Sequence, residues 1–388
     1  MKRPRVVRVY KGVKAGGGVH SRLLELLPRL AEHLDIRVLC YRVRGERAGE
    51  LEAIGVAVDL IPMGSKWAPW NVRRYEKYFR FHRPDVVHTH EYTANTLAIA
   101  AAARAGVPVR VRHLHAMAPW GWGGRLRTAL RVLADRRAAR AAHVTLAVSE
   151  AVRQCYLDRT GLPHDSCRVL YNGIGLGPFR GCRAERGAAR ERWGIPADAP
   201  VVGVVGRLSR GKGHEEFLSA ARILAGRVPR ARFLIVGDGG SRPALEALCR
   251  SLGLSERVVF TGYRSDVPAL LGAMDVFLFP SAPDKAGRIQ DGLPGAVIEA
   301  QAAGLPVVAF RLPMMKEVLE EGASGVLVPI GDAEGAAEAC ARYLLDPPLA
   351  EGAVRAAVRA ASRFSLDVCV ERTLGLYEEL LSRHGRSK

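Results

Sequence analysis

Short apolar runs recur along this chain, separated by longer stretches in which apolar side chains return every three or four positions. The runs predict strands over 5–10, 35–41, 56–61, 85–89, 107–112, 144–148 and 168–173, then over 201–205, 232–236, 258–261, 275–279, 307–310 and 325–328. Helical spacing predicts helices over 19–34, 71–82, 92–105, 125–141 and 214–227, with Pro28 bending the first and Ser149 an N-cap beyond a strand. Apolar strands that alternate with helices read as parallel sheets covered on both faces. A Gly-, Pro- and Arg-rich stretch over 173–200 interrupts the pattern, which then starts again. The expected architecture is α/β, with two Rossmann-like, doubly wound domains facing a central cleft and ligands outside the carboxyl ends of the strands.

One unit concentrates candidate chemistry. Asp291-Gly-Leu-Pro-Gly295 reads as a loop that opens a helix over 296–303, and Gly304 and Pro306 end that helix before the strand at 307. Asp291 and Glu299 bracket the unit, and eight helical positions would set them about 12 Å apart along an axis. That spacing suits gripping two ends of an extended ligand. The N–H groups at the helix start favour an anion there. A capping aspartate and a solvated glutamate explain the pair equally well.

At 388 residues the chain is long for one core, and its 48% hydrophobic and 25% charged composition is that of a globular protein. No apolar run approaches the ~18 residues of a membrane span, and the richest, 97–103, is far too short. Arg8 and Lys11 interrupt any signal-peptide core at the start, so a cytoplasmic location is expected. The seven cysteines are scattered without a Cys-x-x-Cys pair, which excludes a disulfide framework and a cysteine-zinc site. Charge changes the picture more. The net +19 is uneven: residues 1–178 hold 30 Lys and Arg against 14 Asp and Glu, and the remainder 28 against 25. The first half is therefore expected to meet an anionic partner.

Gly16-Gly17-Gly18 lies between the first strand and helix, where an anion can approach the backbone, but it is not Gly-x-Gly-x-x-Gly, which disfavours a nicotinamide dinucleotide. Gly206-Arg-Leu-Ser-Arg-Gly211-Lys212-Gly213 mimics a phosphate-binding P-loop, except that Gly213 stands where a Ser or Thr would hold magnesium. Arg207 and Lys212 retain the means to hold a diphosphate. His88, His90 and Glu91 follow one strand and His113 and His115 another. Alternating strand histidines commonly serve packing, so no metal is assigned, and His115, at a strand end, is the functional candidate. Trp67, Trp70, Trp120 and Trp122 flank two basic helices, one carrying Arg73, Arg74, Lys77, Arg80 and Arg83, the other Arg125, Arg127, Arg131, Arg136, Arg137 and Arg140. Tryptophan beside basic amphipathic sequence suits an anionic membrane surface.

Together these motifs resemble the retaining glycosyltransferases of family four, which have the GT-B fold. The likeness rests on Gly206-Arg-Leu with Lys212-Gly213, Val236-Gly-Asp-Gly239, Phe260-Thr-Gly-Tyr263, Phe279-Pro-Ser281, Gly292-Leu-Pro and Glu299-Ala, joined by Gly17-Gly18, His115, Val148-Ser-Glu150 and Tyr171-Asn-Gly-Ile174. The resemblance implies domains over 1–178 and 179–364, with a final helical stretch over 365–388 that can return to the first domain. It implies a UDP- or GDP-sugar as donor substrate, with no obligatory cofactor or metal. Arg207 and Lys212 would hold the diphosphate, and Glu299 the ribose. Asp291, Leu293, Pro294 and Gly295 would address the sugar, and Tyr263 and Arg264 would lie near the base. Gly17 and Gly18 would meet the phosphate, and His115 the sugar and acceptor. Asp291 stands where the family usually has Glu, and the approach from Ser281 is longer than usual, so Asp284 is a further candidate.

The function expected is a retaining transferase that moves a sugar onto a lipid-linked or polysaccharide-precursor acceptor at the cytoplasmic membrane face. The rivals are a nucleotide-sugar epimerase on the same fold and a non-catalytic anion-binding protein. Nucleic acid is disfavoured, because the chain carries no recognised binding module.

Overall fold

The computed structural model describes residues 3–13, 18–62, 69–117, 120, 124–284 and 286–385. It divides into two compact units, Met1–Gly173 with Leu366–Lys388, and Ile174–Ser365.

In the first unit, seven strands form one sheet: β1 (Arg5–Tyr10), β2 (Asp35–Cys40), β3 (Ala57–Leu60), β4 (Val86–His90), β5 (Val109–Leu114), β6 (Val144–Ala147) and β7 (Cys167–Val169). Their order is β3-β2-β1-β4-β5-β6-β7, with every pairing parallel. β4 is buried throughout, as expected for a central strand covered on both faces. On one face Val6, Val86, Val111 and Leu146 pack with Leu27 and Leu30 of the helix Gly18–Ala31 and with Tyr377 and Leu380 of the helix Leu366–His384. On the other, Val7, Val9 and Val87 meet Tyr75 and Phe79. The last helix is further tied by ion pairs Arg29–Asp367 at 2.6 Å and Arg168–Glu379 at 2.9 Å. Gly173 lies against it so closely that an added Cβ would stand 2.6 Å from that of Cys369.

The second unit holds six parallel strands: β8 (Val201–Val205), β9 (Arg232–Val236), β10 (Val258–Phe260), β11 (Val276–Phe279), β12 (Val307–Phe310) and β13 (Gly325–Val328). Their order is β10-β9-β8-β11-β12-β13. Sequence order reverses between β8 and β11, so the loops leaving those strands diverge and open a crevice. The helix His214–Arg227 buries Phe217, Leu218, Ala221 and Leu224 against the sheet.

Two local expectations change. The helix expected over 92–105 is broken into Glu91–Thr93, a π-helical turn Ala94–Ala98 and Ile99–Arg104. Asn95 explains the break: it accepts from Thr89 Oγ1 at 2.7 Å and donates to the His113 carbonyl at 2.9 Å, tying the turn to β4 and β5. Trp120 does not serve a membrane face. It is buried, stacks on Tyr156 and donates from Nε1 to Asp135 at 3.1 Å, beside the buried Arg112–Asp135 ion pair. A buried carboxylate needs donors, and Trp120 supplies one. Trp67 and Trp122 lie outside the described residues. No helix among the described residues is long and apolar enough to cross a membrane.

Candidate active site

The crevice of the second unit is built by glycine. After β8 the chain turns through Gly206–Gly213, and Gly211 and Gly213 take left-handed φ of 80° and 73°. A Cβ on Gly213 would stand 1.7 Å from the Pro280 carbonyl oxygen, so the Ser or Thr of a P-loop has no room there. After β9, Gly237 and Gly239 press their backbones on Gly206 and Leu208. Main-chain hydrogen bonds from Gly206 to Val236 at 2.9 Å and from Leu208 to Asp238 at 3.0 Å lock the two loops together.

Lys212 crosses from the β8 loop to the β11 loop. Its Nζ lies 2.5 Å from Asp291 Oδ1, while Ser281 Oγ donates to Asp291 Oδ2 at 2.7 Å. With side-chain exposures of 18% and 13%, the pair is shielded enough for each charge to depend on the other. An ammonium has three donors and Asp291 takes one, so Lys212 retains capacity for an incoming anion. Gln290 donates to the Arg210 carbonyl at 2.7 Å and ties the loops a second time. Arg207 is exposed on the same loop and forms no ion pair with a described residue. His214 lies buried beneath, held down at about 4 by burial and then by the charge of Lys212, so it adds no second cation.

Asp291 sits in the loop and Glu299 within the helix Gly295–Ala302, both half-buried. Leu293 and Gly295 are buried, and Pro294 is the N-cap residue, with no side-chain cap on the first turn of that helix. Tyr263 is 64% exposed beyond β10. Arg264 chelates Asp266 through two hydrogen bonds of 2.7 Å and lies over the Trp193 ring. Asp284 is a staple for its own loop. It accepts from Arg288 Nε at 2.9 Å and from the Ala286 and Arg288 amides, and the Arg288 bond, with smaller help from those amides, lowers it to about 2.

In the first unit, Gly17 lies outside the described residues and Gly18 opens the helix Gly18–Ala31. His115 follows β5, and its Nε2 lies 2.9 Å from His90 Nδ1. Behind it stand the strand histidines noted in the sequence, gathered around Arg8, which the sequence motifs did not link to them. His88, His90 and His113 are buried with ring nitrogens within 4.8 Å of one another, and Arg8 Nη2 lies 3.1 Å from His90 Nε2. Burial, then Arg8 and the neighbouring rings, holds all three imidazoles well below their ordinary range. Arg8 is a permanent cation, which opposes a metal ion in the same place. Period-two spacing alone could have found the cluster: Arg8 and Tyr10, His88 and His90, and His113 and His115 point to one face of adjacent strands.

Known proteins are consistent with this geometry. Anabaena Alr3699/HepE, solved in complex with UDP and glucose, superposes with a TM-score of 0.83 at 21% identity over 97% of this chain and 100% of its own. The fold is therefore GT-B, that of a class of glycosyltransferases. The model described as Glycosyltransferase Family 4 matches residues 16–177, and that described as Glycosyl transferases group 1 matches 199–346. The chain belongs to the family-four glycosyltransferases. Among its relatives, the alpha-D-kanosaminyltransferase of Streptomyces kanamyceticus is 31% identical over 64% of this chain and 63% of its own length. The GDP-mannose-dependent alpha-(1-6)-phosphatidylinositol monomannoside mannosyltransferase of Mycolicibacterium smegmatis is 34% identical over 66% and 65%. The chain spans less than two-thirds of either curated relative.

Proposed function

We propose that this chain transfers a sugar from a UDP- or GDP-sugar to a lipid-linked or saccharide acceptor, with retention at the anomeric carbon and without an obligatory metal. The observation that carries the reading is the Lys212–Asp291 pair across the β8–β11 crevice, where a doubly wound sheet receives its ligand. Lys212 and Arg207 stabilise charge on the departing diphosphate, a task that needs fixed cations and not necessarily a metal. Glu299 takes the ribose hydroxyls, Asp291 and the backbone of Leu293–Gly295 the sugar, and Tyr263 and Arg264 the surroundings of the base. Gly17 and Gly18 meet the phosphate, and His115 addresses the sugar and acceptor. The acceptor hydroxyl bonds to the anomeric carbon as the phosphate oxygen leaves on the same face, and that oxygen takes the acceptor's proton. Supporting the donor class, one structural neighbour was solved with UDP and glucose, and one relative is named for GDP-mannose.

The membrane part of the proposal rests on exposed apolar lines along basic helices. On Arg125–Ala141, Leu126, Leu130 and Leu133 are 76%, 56% and 47% exposed, at i, i+4 and i+7. On Pro69–His82, Trp70 and Phe81 are exposed along one line with Arg74 and Lys77. Apolar side chains set among arginines suit the headgroup boundary of an anionic bilayer.

The test is turnover of UDP- and GDP-sugars with and without saccharide or polyprenyl-phosphate-sugar acceptors, in EDTA, with the anomeric configuration of donor and product read by proton NMR. Acceptor-dependent release of nucleoside diphosphate with retention supports the proposal. Conversion of donor in the absence of acceptor, to an epimer, overturns it.

A further inference from the structure

The hydrogen bonds around His90 define which nitrogen of His115 carries a proton. Arg8 cannot accept, so at 3.1 Å from His90 Nε2 its guanidinium donates and Nε2 is the acceptor. His90 is fully buried and sandwiched, its ring 4.2 Å from Tyr10 at 9° and 4.5 Å from His88 at 22°, which leaves no freedom to turn away. A neutral imidazole carries one hydrogen, and on His90 it must therefore be on Nδ1. That N–H points at His115 Nε2, 2.9 Å away, which must accept. His115 is then neutral with its own hydrogen on Nδ1.

We propose that Arg8 and His90 are positioning residues that set the tautomer of His115, so that its one hydrogen is held on Nδ1, buried in this structure, and a ligand that reaches this nitrogen meets a hydrogen-bond donor and not a general base. The assignment of a ligand to His115 rests on the function proposed above; the tautomer chain does not. A free neutral imidazole prefers the Nε2–H form, so two adjacent Nδ1–H histidines are a distinctive signature. The arrangement gives the buried Arg8 a partner for Nη2, while its Nε and Nη1 are buried without one among the described residues. Arg8 supplies a donor that can never be lost, and its charge keeps the cluster from taking a second proton. In the transfer reaction this leaves the acceptor's proton to the leaving phosphate, with His115 donating to a sugar or acceptor oxygen.

The experiment is long-range proton–nitrogen correlation NMR at pH 7.5 on the full chain labelled with nitrogen-15 histidine and free of any substrate. Signals are assigned by His90→Asn and His115→Gln. Nδ1–H forms for both His90 and His115 in the unmodified protein are expected, and an Nε2–H form at either overturns the proposal, whether or not the chain is a transferase. In Arg8→Leu the His90 signal should move to Nε2–H or to an average; an unchanged spectrum removes Arg8 from the chain. His90→Asn keeps an amide N–H near the position of Nδ1 and should leave His115 as Nδ1–H, whereas His90→Leu should release it. Where turnover is measurable, kcat in His90→Leu should fall on the order of tenfold, short of the 10²-fold of a lost donor, with recovery in His90→Asn and little change in donor KM. Equal loss in the two His90 variants, with His115 unchanged in both spectra, contradicts the positioning role.

Discussion

The two units solve one problem in opposite ways. Each has a parallel sheet that presents polar groups at the carboxyl ends of its strands. In the second unit the groups are charged, largely shielded and paired, Lys212 with Asp291 across a crevice floored by glycine. In the first they are buried and neutral, with the stacked rings of His88, His90 and His113 around one guanidinium. An open crevice keeps its ions because water and an arriving ligand share the cost of charge. In the buried floor only the Arg8 guanidinium stays charged, and the imidazoles around it give up their second protons and keep direction. The first arrangement suits binding a diphosphate, and the second suits orienting one donor.

The comparison breaks most visibly at Gly213. Replacing it with Ser, which restores the P-loop consensus, drives a Cβ into the Pro280 carbonyl at a left-handed φ. Gly213→Ser should lose at least about 3 kcal/mol in urea unfolding, above the strain of the backbone angle alone. A stability within 1 kcal/mol of the parent, measured the same way, contradicts the packed loop.

Acid separates the units next. His88, His90 and His113 have folded pKa values far below the unfolded value near 6.5. Below pH 6.5 the unfolded chain therefore binds more protons, and stability falls as pH falls toward the folded values. The slope is about 1.4 kcal/mol per pH unit for each such group. The second unit contributes through His214, held at about 4. Thermal scans from pH 8 to pH 5 should show a loss that is smaller in His88→Phe or His113→Phe, provided these variants fold. Equal slopes in parent and variants contradict buried neutral imidazoles.

A smaller effect concerns the basic surface of the first unit. Leu126→Ser with Leu130→Ser should reduce sedimentation with phosphatidylglycerol vesicles several-fold without altering the melting temperature, because both side chains face solvent. Binding that is unchanged by the pair and abolished by salt would place the attraction in charge alone. The smallest effect is at the loop before the site. Asp284→Asn weakens the hold on Arg288 and should raise donor KM by a factor of a few, leaving kcat alone.

The central strands were legible in the sequence, because a strand buried on both faces has few ways to be written other than as a run of apolar residues, whereas the edge strands β3 and β7 are partly exposed and carry Asp59 and Arg168. The loop glycines were legible too, and Gly211, Gly213, Gly237 and Gly239 take φ values that other residues rarely adopt. The turn over Ala94–Ala98 was not, because Asn95 breaks the helix through bonds to strands close in space. Trp120 reads as a surface aromatic until Asp135 is seen to need a donor. Lys212 and Asp291 each stood out in the sequence, but not that they pair: 79 positions separate them and only the β8–β11 reversal brings them together. Arg8 read only as an interruption of an apolar run, when its register opposite His88 on the neighbouring strand is what matters.

The central claim is that Lys212 receives a nucleoside diphosphate in the second unit's crevice. The most direct measurement is the ligand-induced melting shift with UDP, GDP and ADP, compared between the parent, Lys212→Met and Glu299→Gln, each referred to its own unliganded state so that the broken Lys212–Asp291 pair cancels. A shift of several degrees with UDP or GDP that disappears in Lys212→Met and weakens in Glu299→Gln is the predicted result. An undiminished shift in Lys212→Met would contradict it, since the nucleotide would then bind somewhere other than the crevice that Lys212 spans.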